Sequence, residues 1–256
     1  MEEVLLGNEY LISDIGTSDG TQDKYLKNGI WYKTDRFGGE GKNEALVSRL
    51  LSFSTLKKNE YVSYKEIRIN GSNGCYSQSF LQEDEECVSV YRLHQNVIGT
   101  DIAAVLQRMD FNDQSDYVLN FLQKETKLSG SALETYFGKL FQLDYLALND
   151  DRHLNNICLI FNGTSYRPAP IFDNGKSFFC GNKRYQPHNS FAENLKTVHF
   201  KPFTATIEMM IHRFPAVPLF NAESSKLFLA QTTGMERDIL AERFCDYFDE
   251  MAPFGK

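Results

Sequence analysis

Asn149-Asp150-Asp151-Arg152-His153-Leu154-Asn155-Asn156 is the stretch on which the reading of this chain turns. Before it runs a long apolar segment from Ser131 to Leu148, whose spacing predicts the longest helix of the chain. After it comes Ile157-Cys158-Leu159-Ile160-Phe161, an apolar run short enough for a buried strand. Asn162-Gly163 then signals a hairpin, with Arg167 to Phe172 as the returning strand. A loop over Asn162 to Tyr166 would set residue 156 opposite residue 172, and directly opposed residues lie roughly 5 Å apart. Asn156 and Asp173 are therefore expected together at the open end of the hairpin, as two oxygen ligands for one hard divalent cation. The competing reading of Asp173-Asn174-Gly175 is a plain turn.

The spacing of Asp151 and Asn156 narrows the chemistry. Phosphoryl transfer needs an aspartate to orient or deprotonate the attacking hydroxyl and a nearby amide oxygen to help hold Mg²⁺. Protein kinases place the two residues at this same spacing in H-R-D-x-x-x-x-N, although polar loops also match D-x-x-x-x-N by chance. Upstream, Lys33 ends the strand Gly29-Ile30-Trp31-Tyr32-Lys33, and Glu44 opens the next predicted helix. A strand lysine held by a helix glutamate contacts ATP phosphates in kinases. Taken singly, the two read equally well as a solvated edge lysine and a glutamate set for the helix dipole. Gly16 to Lys24 (GTSDGTQDK) supplies small residues for a phosphate loop, yet matches neither G-x-x-x-x-G-K-[ST] nor G-x-G-x-x-G.

Around these residues the chain divides by periodicity. The first third reads mostly as strand, with further segments at 61–69, 74–81 and 87–93, and one helix from Asn43 to Leu51 capped by Asn43. From about Ile98 helices dominate, with Thr100, Ser115 and Ser131 as expected caps. The expected architecture is α+β and two-lobed, with residues 1–82 as a small antiparallel-sheet lobe and 83–256 as a larger, mainly helical one.

Composition removes several classes. The 256 residues carry 42% hydrophobic and 24% charged side chains, the balance of an ordinary globular chain. A formal charge of −7 gives no footprint for direct nucleic-acid binding. No apolar run approaches the roughly 20 residues of a membrane span, and the acidic N-terminus lacks a signal-peptide n-region. Five scattered cysteines without a CxxC pair fit a reducing, cytoplasmic setting and offer no zinc framework. There is no H-E-x-x-H and no G-x-S-x-G.

As a set, these residues resemble the HipA-like serine/threonine kinases, above all the short HipT- and CtkA-like forms. Asp151-Arg152-His153-Leu154-Asn155-Asn156 matches the family's D-x-H-x-x-N loop, and Asp173 stands where its metal aspartate follows. Gly20-Thr21-Gln22-Asp23-Lys24 is similar to the G-x-Q-x-K loop, which adds Gly20, Thr21, Gln22 and Lys24 to Lys33 and Glu44 as the ATP-binding residues. The resemblance implies a bilobal protein-kinase-like fold, ATP with Mg²⁺, a protein substrate, and Asp151 as catalytic base with Asn156 and Asp173 as metal ligands. It also implies an antitoxin partner where the member belongs to a toxin–antitoxin pair, or export into a host cell where the member is an effector. Thr17 occupies the place of the family's autophosphorylated serine, followed by Ser18. A lipid or small-molecule phosphotransferase of the same fold, and a pseudokinase binding module, are the alternatives.

Overall fold

The computed structural model describes residues 2–12, 22–214 and 218–252. Asn28 and Gly29 both lie at positive φ (51° and 74°), as a tight two-residue hairpin turn requires. They join β2 (Lys24–Lys27) to β3 (Ile30–Thr34) and set Lys24 directly opposite Lys33. Asn70 and Gly71 make the corresponding turn between β4 (Lys65–Ile69) and β5 (Ser72–Gln78). With β1 (Glu3–Val4) the strands form one sheet in the order β1-β4-β5-β3-β2. The sheet is mixed rather than wholly antiparallel, because β1 runs parallel to β4. The Asn70 amide holds it there, accepting from Leu6 N at 2.8 Å and donating to Leu6 O at 2.9 Å.

One helix, α1 (Glu40–Leu51), lies on this sheet. It starts a turn earlier than the sequence predicts: Glu40 Oε1 accepts from the backbone of Arg36 and Phe37, and Asn43 sits inside the helix rather than at its cap. Two glycines permit the close approach. A Cβ on Gly41 would fall 2.4 Å from the Gly74 carbonyl carbon, and one on Gly74 would fall 2.2 Å from Lys33 O. Backbone rests on backbone here.

The rest of the chain is helical around a second, three-stranded sheet. β6 (Glu86–Ser89) pairs with β7 (Cys158–Phe161), which pairs with β8 (Tyr166–Pro168). The strand expected to reach Leu93 stops at Ser89, whose hydroxyl accepts from Arg92 N and opens α2 (Val90–Ile98). Asp101, Asp110 and Ser129 cap α3 (Ile102–Leu106), α4 (Phe111–Thr126) and α5 (Gly130–Ala147), in place of the neighbouring Thr100, Ser115 and Ser131. Then follow α6 (Phe191–Leu195), α7 (Ile207–Arg213), α8 (Ala222–Ala230) and α9 (Met235–Met251). From Tyr136 on, α5 is buried almost all round, which is why that part of its sequence shows no polar face. Phe137, Phe141, Phe203 and Phe214 pack their rings with centroids 5.3 to 6.5 Å apart. Each such side chain contributes about 1.5–3 kcal/mol by leaving water. This core fixes the end of α5, and so the loop that leaves it.

The β7–β8 hairpin is one residue tighter than expected. Phe161 faces Tyr166, and Asn162 Oδ1 accepts from Thr164 N and Ser165 N with Gly163 at φ 87°. The ladder does not run on to residues 156 and 172, because Ile171 bonds instead to the segment after α1. Ile171 N donates to Glu60 O at 2.8 Å and Val62 N donates to Ile171 O at 2.9 Å. What brings Phe172 and Asp173 to the loop of Asp151 is a different device.

Candidate active site

That device is Arg152. Its guanidinium is fully buried and donates from Nε and Nη2 to the Asp144 carboxylate at 3.1 and 3.0 Å. Nη1 reaches Phe172 O at 2.7 Å, and Nη2 also reaches Asn174 Oδ1 at 2.6 Å. Asn149 Nδ2 donates to Asp144 as well, at 3.0 Å. One planar cation thus ties the end of α5, the loop after it, and both neighbours of Asp173. Planar, five-donor geometry suits arginine to such a junction. Sequence reasoning passed over Asp144 and Arg152. The signal was there: Asp144 is the lone acid within the apolar run Leu140–Leu148, and a carboxylate in that setting requires a buried partner.

Asp173 adopts the left-handed backbone at φ 62°, unusual for a side-chain-bearing residue. The turn aims its carboxylate at β3. Lys33 Nζ donates to Asp173 Oδ1 at 2.7 Å and to Glu44 Oε1 at 2.9 Å, and lies over the Tyr64 ring. The other Glu44 oxygen accepts from Asn174 N at 2.9 Å. Asn43, one residue before Glu44, donates from Nδ2 to Gly175 O and Ser177 O at 3.1 and 2.7 Å. α1 is therefore stitched to residues 174–177 from two adjacent side chains.

The electrostatics follow from burial and from these pairs. Burial opposes the Lys33 ammonium, but the Asp173 and Glu44 carboxylates outweigh it and raise its pKa well above that of an ordinary lysine. Burial pushes Glu44 up, with Lys33 opposing. Burial would also raise Asp173, yet Lys33, followed by Lys24 and Arg152, holds its carboxyl well below the usual range. Asp150 is pushed up by burial and by the charge of Asp151 beside it.

Asp151 itself sits at the rim, with its side chain about one-quarter exposed (24%). Its backbone is fixed on both sides: Asn149 Oδ1 accepts from Asp151 N, and Asn156 Nδ2 donates to Asp151 O at 2.9 Å. Lys201 Nζ donates to Asp151 Oδ1 at 3.0 Å, and His153 Nε2 lies 4.0 Å from Oδ2. Lys201 was another residue missed from the sequence; it stands fifty positions downstream, in a segment without a motif.

Lys33, Glu44 and Asp173 thus meet directly, and Asp151 and Asn156 are joined to each other. Arg152 links the two groups. Lys24 lies across from Lys33, and Gln22 just precedes β2. Gly20, Thr21, Thr17 and Ser18 lie outside the described residues. Among the described residues no three His, Cys, Asp or Glu side chains cluster as a metal-ligating group. An Mg²⁺ that also holds phosphates takes only one or two protein ligands, and an amide oxygen and an ionised carboxylate such as those of Asn156 and Asp173 are hard donors of the kind it takes. The Asn156 amide is oriented by its donation to Asp151 O, and Asp173 is kept ionised with Oδ1 alone committed to Lys33. Among the described residues no helix is long and apolar enough to cross a membrane.

No family model and no curated protein matches the sequence. Solved structures do. The crystal structure of the Helicobacter pylori proinflammatory kinase CtkA is similar over 90% of this chain and 90% of that one, with a TM-score of 0.58 at 14% identity. HipA of the Shewanella oneidensis MR-1 toxin–antitoxin system, in its complex with HipB and operator DNA, aligns at a TM-score of 0.45 and 13% identity. That alignment covers 93% of this chain and 65% of HipA. The aerobactin synthetase IucC of Klebsiella pneumoniae aligns at 0.34 and 13%, over 91% of this chain and 45% of its own. The likeness to CtkA shows a shared kinase fold: a mixed sheet with one helix, followed by a helical body.

Proposed function

From a chain with the fold of CtkA, we propose an ATP-dependent kinase that transfers the γ-phosphoryl group to a serine or threonine hydroxyl of a protein. One observation carries this reading. Lys33 Nζ lies within hydrogen-bond reach of both Glu44 and Asp173, although Asp173 is 140 positions away in sequence. A strand lysine paired with a helix glutamate, with a loop aspartate beside them, is the arrangement kinases use to position phosphates and metal.

In this reading residues 1–82 and 83–256 are the two lobes, and the nucleotide lies against Lys33 with Gln22 and Lys24 beside it. The Lys33 ammonium, raised in pKa, stays charged throughout the physiological range and offers hydrogen bonds to phosphate oxygens. Asp151 orients the attacking hydroxyl and accepts its proton, with the carboxylate held at the rim where a partner's side chain can reach it. Asn156 and Asp173 would hold Mg²⁺, which when bound neutralises charge on the phosphates. Arg152 acts through others, keeping Asp173 and Asp151 in register.

Incubation of the protein with Mg-ATP in a cell lysate, followed by phosphopeptide mass spectrometry, tests the proposal. Wild type is expected to label itself or another protein on serine or threonine, and Asp151→Asn to lower transfer by a factor on the order of 10²–10⁴. Transfer that survives the substitution removes the assigned base. Absence of transfer with a clear Mg-ATP thermal shift points to a nucleotide-binding module instead.

A further inference from the structure

The chain is acidic overall, at −7, but the segment from Asn174 to Thr204 is not. It holds Lys176, Lys183, Arg184, Lys196 and Lys201 against one carboxylate, Glu193. That carboxylate is already committed. Glu193 Oε2 accepts from Ser190 N and Ser190 Oγ, both at 2.8 Å, in the capping box of α6. Lys176 lies over the Phe37 ring at 4.7 Å, while Lys183, Arg184 and Lys196 are exposed and, among the described residues, make no ion pair within 4 Å. Arg184 is bonded instead to the ring of His199 at 2.6 Å.

Both ends of this strip are fixed at the candidate site. At the start, Asn43 holds Gly175 O and Ser177 O. At the far end, Lys201 touches the Asp151 carboxylate. Between them the strip is closed on itself: Asn194 exchanges hydrogen bonds with the Gln186 backbone at 2.9 Å, and Asn182 Nδ2 donates to Thr197 Oγ1 at 3.0 Å. A surface ordered before its ligand arrives loses less entropy on binding. Exposed cations of one sign, on a segment that ends at Asp151, attract and orient a partner of the opposite sign.

We propose that this strip docks the protein substrate, and that the substrate segment is acidic: a serine or threonine flanked by Asp or Glu. The inference rests on the kinase reading for the fate of the hydroxyl, while the docking itself is measurable without it. An acidic peptide is favoured over a nucleic acid because the strip leads to Asp151, where a hydroxyl side chain has to enter. A nucleic acid tracking the strip would bring its phosphates against that same carboxylate.

The experiment uses the full chain and fluorescein-labelled peptides with one central serine, flanked by glutamate, by glutamine or by lysine. Binding is read by anisotropy at low and high salt, and phosphate transfer is measured on the same samples. The glutamate peptide is expected to bind roughly tenfold tighter than the glutamine peptide at low salt and to lose that margin at high salt. The combined variant Lys183→Glu, Arg184→Glu and Lys196→Glu, at exposed positions, is expected to prefer the lysine peptide. No advantage for the glutamate peptide, or a preference that survives the charge reversal, overturns the inference. So does a single-stranded RNA that displaces the glutamate peptide at lower concentration than unlabelled peptide does. Acidic preference without transfer leaves the docking assignment standing and removes the kinase reading. Transfer without acidic preference does the reverse.

Discussion

Replacing Arg152 by methionine keeps much of the volume and removes the guanidinium that three groups share. Asp144, 1% exposed, is left with one donor, Asn149 Nδ2, in place of three. Breaking one side of a fully buried pair costs about 3–5 kcal/mol, because an uncompensated charge remains inside. For a chain of this size that lowers the melting temperature by about 6–20 °C, at roughly 2–4 °C per kcal/mol. The double variant Asp144→Leu with Arg152→Met removes both charges, so calorimetry should show most of that loss recovered. Phosphate transfer should not recover, since Phe172 O and Asn174 Oδ1 still lack the donor that sets Asp173. A single variant within about 1 kcal/mol of wild type, or a double variant no more stable than the single, would refute the reasoning.

Gly41→Ala is expected to destabilise the chain by about 1–3 kcal/mol, because its Cβ would meet the Gly74 backbone at 2.4 Å; an unchanged melting curve contradicts this. Asp173 has a depressed pKa, so its charge stabilises the native state above the ordinary carboxylate range, and that contribution is lost as pH falls. The gap in unfolding free energy between wild type and Asp173→Asn should therefore stay constant from about pH 8 to 5 and narrow only below about pH 4, as chemical denaturation can show. Lys201→Met removes an exposed partner and should change stability by less than about 1 kcal/mol. It should nevertheless slow transfer at saturating ATP, and equal turnover would mean that Lys201 does not serve Asp151.

The candidate residues were picked out by spacing, and the structure shows which of them lie together. Of Lys33, Glu44, Asp151, Asn156 and Asp173, the lysine meets the glutamate and Asp173 directly, and Asn156 bonds to the Asp151 backbone. The Asn-Gly pairs at 28–29 and 70–71 take the positive φ values that their turn chemistry calls for. The residues that hold the site were harder to read. Arg152 and Asp144 serve through burial, and burial depends on which helices close around them. The hairpin register slipped by one because Asn162 Oδ1 gathers two backbone donors and shortens the turn, a choice that Asn-Gly alone does not announce. Ser89 is the same kind of case: Cys87 to Leu93 has strand composition, and a single hydroxyl cap converts its second half into helix.

Asn43 has a consequence for motion. Since it grips Gly175 and Ser177 while Glu44 next to it grips Lys33 and Asn174, an outward swing of the helix that leaves residues 174–177 behind has to break three buried hydrogen bonds. A motion that carries the loop along would instead keep Glu44 with Asn174 and part Lys33 from both carboxylates together. Helix and loop are thus coupled through two adjacent side chains, and neither shifts without straining the other.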